Sequence, residues 1–177
     1  IVSEIEAVSR LGFDYVEVTM DAPQAHHRLL REQMEAVAAS LKSCGLGLVC
    51  HLPTFVSAAD LTPALREASV AELLDSLEVA RTMGAEKVVL HPPHGVGLGK
   101  RVPELVRGYM MESLEIVLDR AGAMNLTVAL ENMTPGSLSL TEPEDFDAVL
   151  DRHPALQVTL DLGHAHIGSR GEDRGLT

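Results

Sequence analysis

The chain has no tryptophan, and only two tyrosines and three phenylalanines among its 177 residues. So few aromatics leave no interleaved platform on which nucleic-acid bases could stack. Cysteine is as scarce. Cys44 and Cys50 make no disulfide framework and no C-x-x-C pair, and they read as buried thiols in a reducing cytoplasm. No run of 18 or more apolar residues exists, which argues against a membrane span. A basic and apolar leader is also missing, so nothing marks the chain for secretion. It opens on Ile1 rather than Met, and its natural N-terminus is expected to lie further upstream. Basic residues are outnumbered, 14 Lys and Arg against 26 Asp and Glu, for a net charge of −12. That balance argues against broad attraction to nucleic acid or anionic lipid, although a small basic groove remains compatible with it.

What is present suits a single globular domain: 46% hydrophobic and 23% charged residues in a chain long enough for a useful core. Residues 1–11 carry Ile1, Ile5, Val8 and Leu11 on one helical face before Gly12. A strand follows over 13–20, then a helix over 26–43 with Leu30, Met34, Val37 and Leu41 inward. LGLVCH at 46–51 reads as a strand buried on both faces. Thr62 and Pro63 open the next helix as cap and first residue, and it runs to Gly84. EKVVLH at 86–91 is a strand, and HPPHGVGLGKR at 91–101 is a loop. A helix marked by Val106, Met110, Leu114, Val117 and Ala121 precedes the strand LTVALE at 126–131. Thr141-Glu142-Pro143-Glu144 resembles a capping box for a helix that Pro154 closes, and a last strand spans 156–160.

Short apolar strands alternating with amphipathic helices predict right-handed crossovers and a parallel α/β sheet. Polar strand ends fall at Glu17, His51, His91, Glu131 and Asp161, with spacings of 34, 40, 40 and 30 residues. A (β/α)8 barrel of about 250 residues averages roughly 31 per unit. A doubly wound sheet would gather its ligands at one crevice behind a glycine fingerprint that this chain lacks. The expected fold is therefore a TIM barrel, incomplete here: five strands are visible, with the first and the last two missing. Bare strand edges would aggregate. A fragment of a longer chain is expected, or else a chain that covers its edges by pairing, as in a homo-oligomer.

The chemistry is concentrated at the strand ends. Glu131 closes a wholly apolar strand, so its carboxylate needs a partner such as a metal ion or a basic residue. Asp161 and His164 end the next strand around Leu162-Gly163, and Gly163 is expected to turn the chain so that His164 faces the same site. Carboxylates on adjacent strands can bridge one divalent ion, while helix capping is the other role open to Asp161. His51 and His91 each follow an apolar strand and precede a proline-rich exit, in HLP and HPP, which holds them extended. They are metal-ligand or substrate-orienting candidates. His94 is a candidate substrate contact. Glu17 is expected to pair with a basic residue inside the mouth, and His26, His27, His153 and His166 to be surface or loop histidines. GVGLGKR fits neither glycine-rich phosphate fingerprint, yet Lys100 or Arg101 could bind a sugar phosphate. Lys100, Arg101 and Arg170 are the cations nearest the strand ends. No Ser-His-Asp or Cys-His nucleophile pattern stands out.

VCHLP, VLHPP, ALEN and LDLGHAH, in this order and at these spacings, resemble the xylose isomerase-like TIM-barrel superfamily. That group contains sugar isomerases and epimerases and the endonuclease IV-like nucleases. The resemblance runs from about Gly12 to His166 and implies that Glu131 and Asp161 bind a divalent metal. It implies that His164 contacts substrate, as in the isomerases, or zinc, as in the nucleases. His51 and His91 match two nuclease zinc ligands that many isomerases lack. Asp161-Leu162-Gly163-His164 looks more like the isomerase form, and Asn132-Met133-Thr134-Pro135-Gly136 is only partly nuclease-like. The implied function is a sugar or sugar-phosphate isomerase or epimerase with a Mn, Mg or Zn ion, zinc being favoured if His51 and His91 are ligands. Glu131 would move the proton beside a metal-polarised carbonyl and His164 would act on substrate. The implied alternatives are a zinc-dependent abasic-site endonuclease and a non-catalytic metabolite-binding relative.

Overall fold

Alternation along five short strands places two kinds of side chain on two faces of one sheet. The computed structural model describes residues 1–95, 97–135 and 139–172. Its strands are β1 (Tyr15–Thr19), β2 (Gly47–His51), β3 (Lys87–Leu90), β4 (Thr127–Glu131) and β5 (Gln157–Thr159). They are parallel and adjacent in chain order, β1-β2-β3-β4-β5. The helices between and around them are α1 (Val2–Arg10), α2 (His27–Glu32), α3 (Met34–Cys44), α4 (Pro63–Thr82), α5 (Pro103–Ala123), α6 (Pro143–Arg152) and α7 (Leu162–Glu172). No helix among the described residues is long and apolar enough to cross a membrane.

Leu48, Cys50, Val88, Leu90, Val128 and Leu130 form one face of the sheet and pack into the core with Ile5, Leu30, Val37, Leu73, Leu77, Leu114 and Val117 of the helices. The period of two along a strand sends the intervening residues to the other face. There the register pairs His51 with Val89, Val89 with Ala129, and Glu131 with Thr159. This second face carries the polar strand ends. At its other end the exposed Tyr15 ring lies over Gly47, where a Cβ would meet it at 2.3 Å.

Several local expectations change. The helix expected over 26–43 is two helices that meet at Gln33. The break lets α2 pack on α4 while α3 packs on α1, two directions that one straight rod could not serve. Residues 97–101 of the expected loop form a short 3-10 helix. Thr62 stands at the N-cap of α4, but its side chain makes no capping bond. The capping box of α6 is present, between Glu142 and Asp145. Cys50 is buried, and burial, together with the charge of Glu17, pushes its thiol up to about 12, so it is inert, while Cys44 is only half-buried. Gly163 makes no sharp turn, because Leu162–Glu172 is helical. Val96, Gly136 and the side chain of Arg170 lie outside the described residues.

Candidate metal centre

Glu131 is 5% exposed at the end of β4, and three histidine rings surround its carboxylate. His51 Nε2 lies 3.2 Å from Oε2 and His91 Nε2 lies 3.5 Å from the same oxygen. His164 Nδ1 is 3.2 Å from the other oxygen, Oε1, and 4.0 Å from Asp161 Oδ1. The rings of His51 and His91 meet edge-on at 4.8 Å between centroids. Two overlapping donor sets result, His51–His91–Glu131 and Glu131–Asp161–His164, each with its donor atoms within 4.8 Å of one another. Glu131 belongs to both.

The backbone fixes which ring nitrogens are free. His51 Nδ1 lies 2.8 Å from the carbonyl oxygen of Leu52. A carbonyl only accepts, so Nδ1 carries the hydrogen, and Nε2 is the nitrogen turned to Glu131 and open to a metal in the neutral ring. A ligand histidine held through its other nitrogen by a main-chain carbonyl is the usual support of a metal site. His91 is held down to about 4 by burial and by the neighbouring His51, His164 and His94, against the opposing pull of Asp21. It is therefore neutral near pH 7. Lone pairs and a carboxylate oxygen that face one another in a buried space call for a shared cation. The donor set of imidazoles and carboxylates fits a divalent ion such as zinc.

His164 is tied differently. Its Nδ1 lies 2.8 Å from the carbonyl oxygen of Asn132, so Nδ1–H is shared between that oxygen and Glu131 Oε1, and Nε2 is left open. Asp161 accepts the His164 amide at 2.6 Å and so caps α7. The His164 amide bond, assisted by the Gly163 amide and the His164 ring, lowers its carboxyl below the usual carboxylate range. Capping and ligation draw on the same carboxylate: Oδ1 accepts the His164 amide and is also the oxygen 4.0 Å from His164 Nδ1. Gly163 serves this arrangement by what it lacks: a Cβ there would stand 3.0 Å from Asp161 Oδ1.

The sequence pattern brings Glu131, Asp161, His51, His91 and His164 together, and it also misses two participants. Asn132 is buried; its Oδ1 accepts the Asp161 amide at 2.6 Å and its Nδ2 donates to the Asp161 carbonyl at 3.1 Å. A buried amide directly after a strand-ending acid is the signal for it. Asp21, two residues past the end of β1, accepts the Thr54 amide at 2.9 Å and bears electrostatically on His91. It is the acid that belongs to this end of β1. Glu17 is exposed on β1 and makes no ion pair among the described residues, so the expected basic partner is absent. His94 is half-buried, is lowered by burial, and lines a small cleft with His91, Pro53 and Thr54. Lys100 is exposed on the 3-10 helix and joins none of the contacts around Glu131. His26, His27 and His153 are not surface residues: His27 is fully buried and the other two are half-buried. His166 is exposed on α7 rather than in a loop.

Comparison with known proteins places this geometry in a family. The chain is 30% identical over 169 residues to a "Probable endonuclease 4" of Bacillus licheniformis, covering 91% of this chain and 55% of that protein. It thus spans about half the length of the curated relatives it matches. Endonuclease IV from Thermus thermophilus is 27% identical, with a TM-score of 0.68 over 97% of this chain and 62% of that one. A D-tagatose 3-epimerase-like protein superimposes with a TM-score of 0.78 at 22% identity, over 93% of this chain and 62% of that one. At that identity the likeness speaks for the fold alone, and it makes the five parallel strands part of a TIM barrel. The family description "Xylose isomerase-like TIM barrel" matches residues 5–175, and the chain belongs to that family.

Proposed function

We propose that this chain carries the metal-binding part of a divalent-metal-dependent isomerase or epimerase acting on a sugar or sugar phosphate. The observation that carries the reading is the company Glu131 keeps: three imidazoles and Asp161, with no Lys or Arg among the described contacts. A mouth of this kind, in a chain of net charge −12, suits a polyhydroxy compound better than a polyanion. Lys100 stands outside the site, which favours the unphosphorylated sugar.

Glu131, with His51 and His91 on one side or Asp161 on the other, would hold the ion, which when bound would polarise a ketose carbonyl and its neighbouring hydroxyl. Glu131 is also the carboxylate placed to take and return the proton on carbon. His164, with Nδ1–H committed to Asn132 and Glu131, offers Nε2 as an acceptor for a substrate hydroxyl. Burial of Glu131 keeps competing water from its oxygens.

A second reading, an endonuclease IV-like phosphodiesterase, is favoured by one observation: His51 and His91 both converge on Glu131 Oε2, as a multi-zinc site would want. The full-length protein separates the two. A single ion at the Glu131 centre, counted as the equivalents lost in Glu131→Gln, and isotope exchange at a ketose carbon, without cleavage of an abasic-site duplex, would support the isomerase. Two or three zinc ions lost together in Glu131→Gln, with cleavage in the wild type, would replace it by the nuclease. A bound metabolite with neither activity would indicate a non-catalytic relative.

A further inference from the structure

Away from Glu131, a second group of metal-ligating side chains joins two helices. His26 caps α2, His27 is its first residue, and Glu72 lies midway along α4. His26 Nε2 is 2.6 Å and His27 Nε2 is 3.1 Å from the same oxygen, Glu72 Oε1. The two rings are 4.2 Å apart at a tilt of 38°, and the three donor atoms lie within 4.8 Å of one another. None of these residues touches the Glu131 centre among the described contacts.

His27 is the residue that needs explaining. It is 2% exposed, and neither of its ring nitrogens has a hydrogen-bond partner. A neutral imidazole carries one N–H and one lone pair, and folded proteins rarely bury both unanswered. A proton shared by His26 and Glu72 accounts for their contact but leaves His27 unsatisfied beside the same oxygen. An ion between the three accounts for all of them.

We propose that His26, His27 and Glu72 form a second, structural site for a divalent transition-metal ion, zinc by the chemistry of its donors. His26 and Glu72 are each about a quarter exposed, 25% and 26% by side chain, so water can enter as the fourth ligand. Donors about 2.0–2.1 Å from zinc stand roughly 3.3 Å apart around a tetrahedron; the His27–Glu72 distance of 3.1 Å is close to that, and the His26–Glu72 distance of 2.6 Å must open by a fraction of an ångström. His26 Nδ1 now accepts the Arg28 amide at 3.3 Å. Metal at Nε2 leaves the ring hydrogen on Nδ1, so that capping bond is given up as the ion enters. The ion would clamp to α4 the segment that follows β1, the segment that carries Asp21 beside the main centre.

The test uses the full-length protein, stripped with a chelator and titrated with zinc. Zinc content per chain is compared in wild type, Glu72→Gln, His26→Asn and Glu131→Gln, and the Arg28 amide is followed by NMR. The expected result is one equivalent fewer in Glu72→Gln and in His26→Asn. In Glu131→Gln, zinc should still move the Arg28 amide resonance, and in Glu72→Gln it should not. Equal zinc content in wild type, Glu72→Gln and His26→Asn would overturn the site, as would an Arg28 amide indifferent to zinc in Glu131→Gln. Loss of zinc in Glu131→Gln alone would sustain the main centre and reject this one.

Discussion

Asn132 controls two of the groups around Glu131 without being one of the metal's candidate donors. Its side chain pairs with both main-chain groups of Asp161, and its own carbonyl receives His164 Nδ1. Removing such a supporting partner typically lowers metal affinity or activity by about 10–100-fold. Asn132→Ala is therefore expected to weaken the full-length protein's metal affinity by that order, measured by competition with a chromophoric chelator. Unchanged affinity would show that Asp161 holds its place without the Asn132 side chain. At the same scale His91 makes stability depend on pH in the metal-free protein. Its folded value of about 4 lies below the ordinary 6.5. Between these values the unfolded chain takes up a proton that the folded chain refuses, so stability falls as pH drops from 6.5 towards 4 and this contribution then levels off. Urea midpoints across that range should show the slope in wild type and a shallower one in His91→Gln.

At the scale of elements, the strands were the legible part. VVL, VAL and their neighbours are short, apolar and β-branched, and a strand-ending Glu or His can be seen because it interrupts that run. Convergence of His51 and Glu131 then follows from register, since both close their strands on the same face. Asp21 escapes the same logic because β1 ends at Thr19 and the acid lies beyond it, while Glu17 within the strand draws the eye. The break at Gln33 has no glycine or proline to announce it. Nor does the helix Leu162–Glu172 show in LGHAHIGSRGE, where three glycines lower helix propensity and tertiary context decides. Gly163→Ala sharpens that point. Alanine at a helical position ordinarily stabilises by about 1 kcal/mol. Here the new methyl group would press on Asp161 Oδ1 at 3.0 Å, so metal binding should weaken even if the melting temperature does not fall. Calorimetric titration with the metal checks it, and affinity equal to wild type would mean that the carboxylate yields freely.

On the scale of the whole molecule, β1 and β5 are the two edges of the sheet. Phe13 and Tyr15 lie exposed at one, and Val158, Leu160 and Leu162 at the other. Unpaired ladders flanked by large apolar side chains invite pairing with another chain. Residues 1–177 expressed alone are accordingly expected to self-associate, and light scattering behind a sizing column would show species larger than 19.0 kDa. A single monodisperse monomer would mean that the edges are protected in some other way.

The donor sets around Glu131 come from segments far apart in the chain, at residues 51, 91, 131, 161 and 164. They meet only when the strands from β2 to β5 are in register, so the unfolded chain has no equivalent pocket. Occupancy and folding are then one linked equilibrium: an ion that recognises only the folded form adds RT ln(1 + [M]/Kd), about 2.7 kcal/mol at a hundredfold excess over Kd. The melting temperature of the full-length protein should thus rise with each increment of free metal, and a chelator should withdraw that gain without touching a single apolar contact. Metal supply would then set how long the folded protein persists, independently of any substrate.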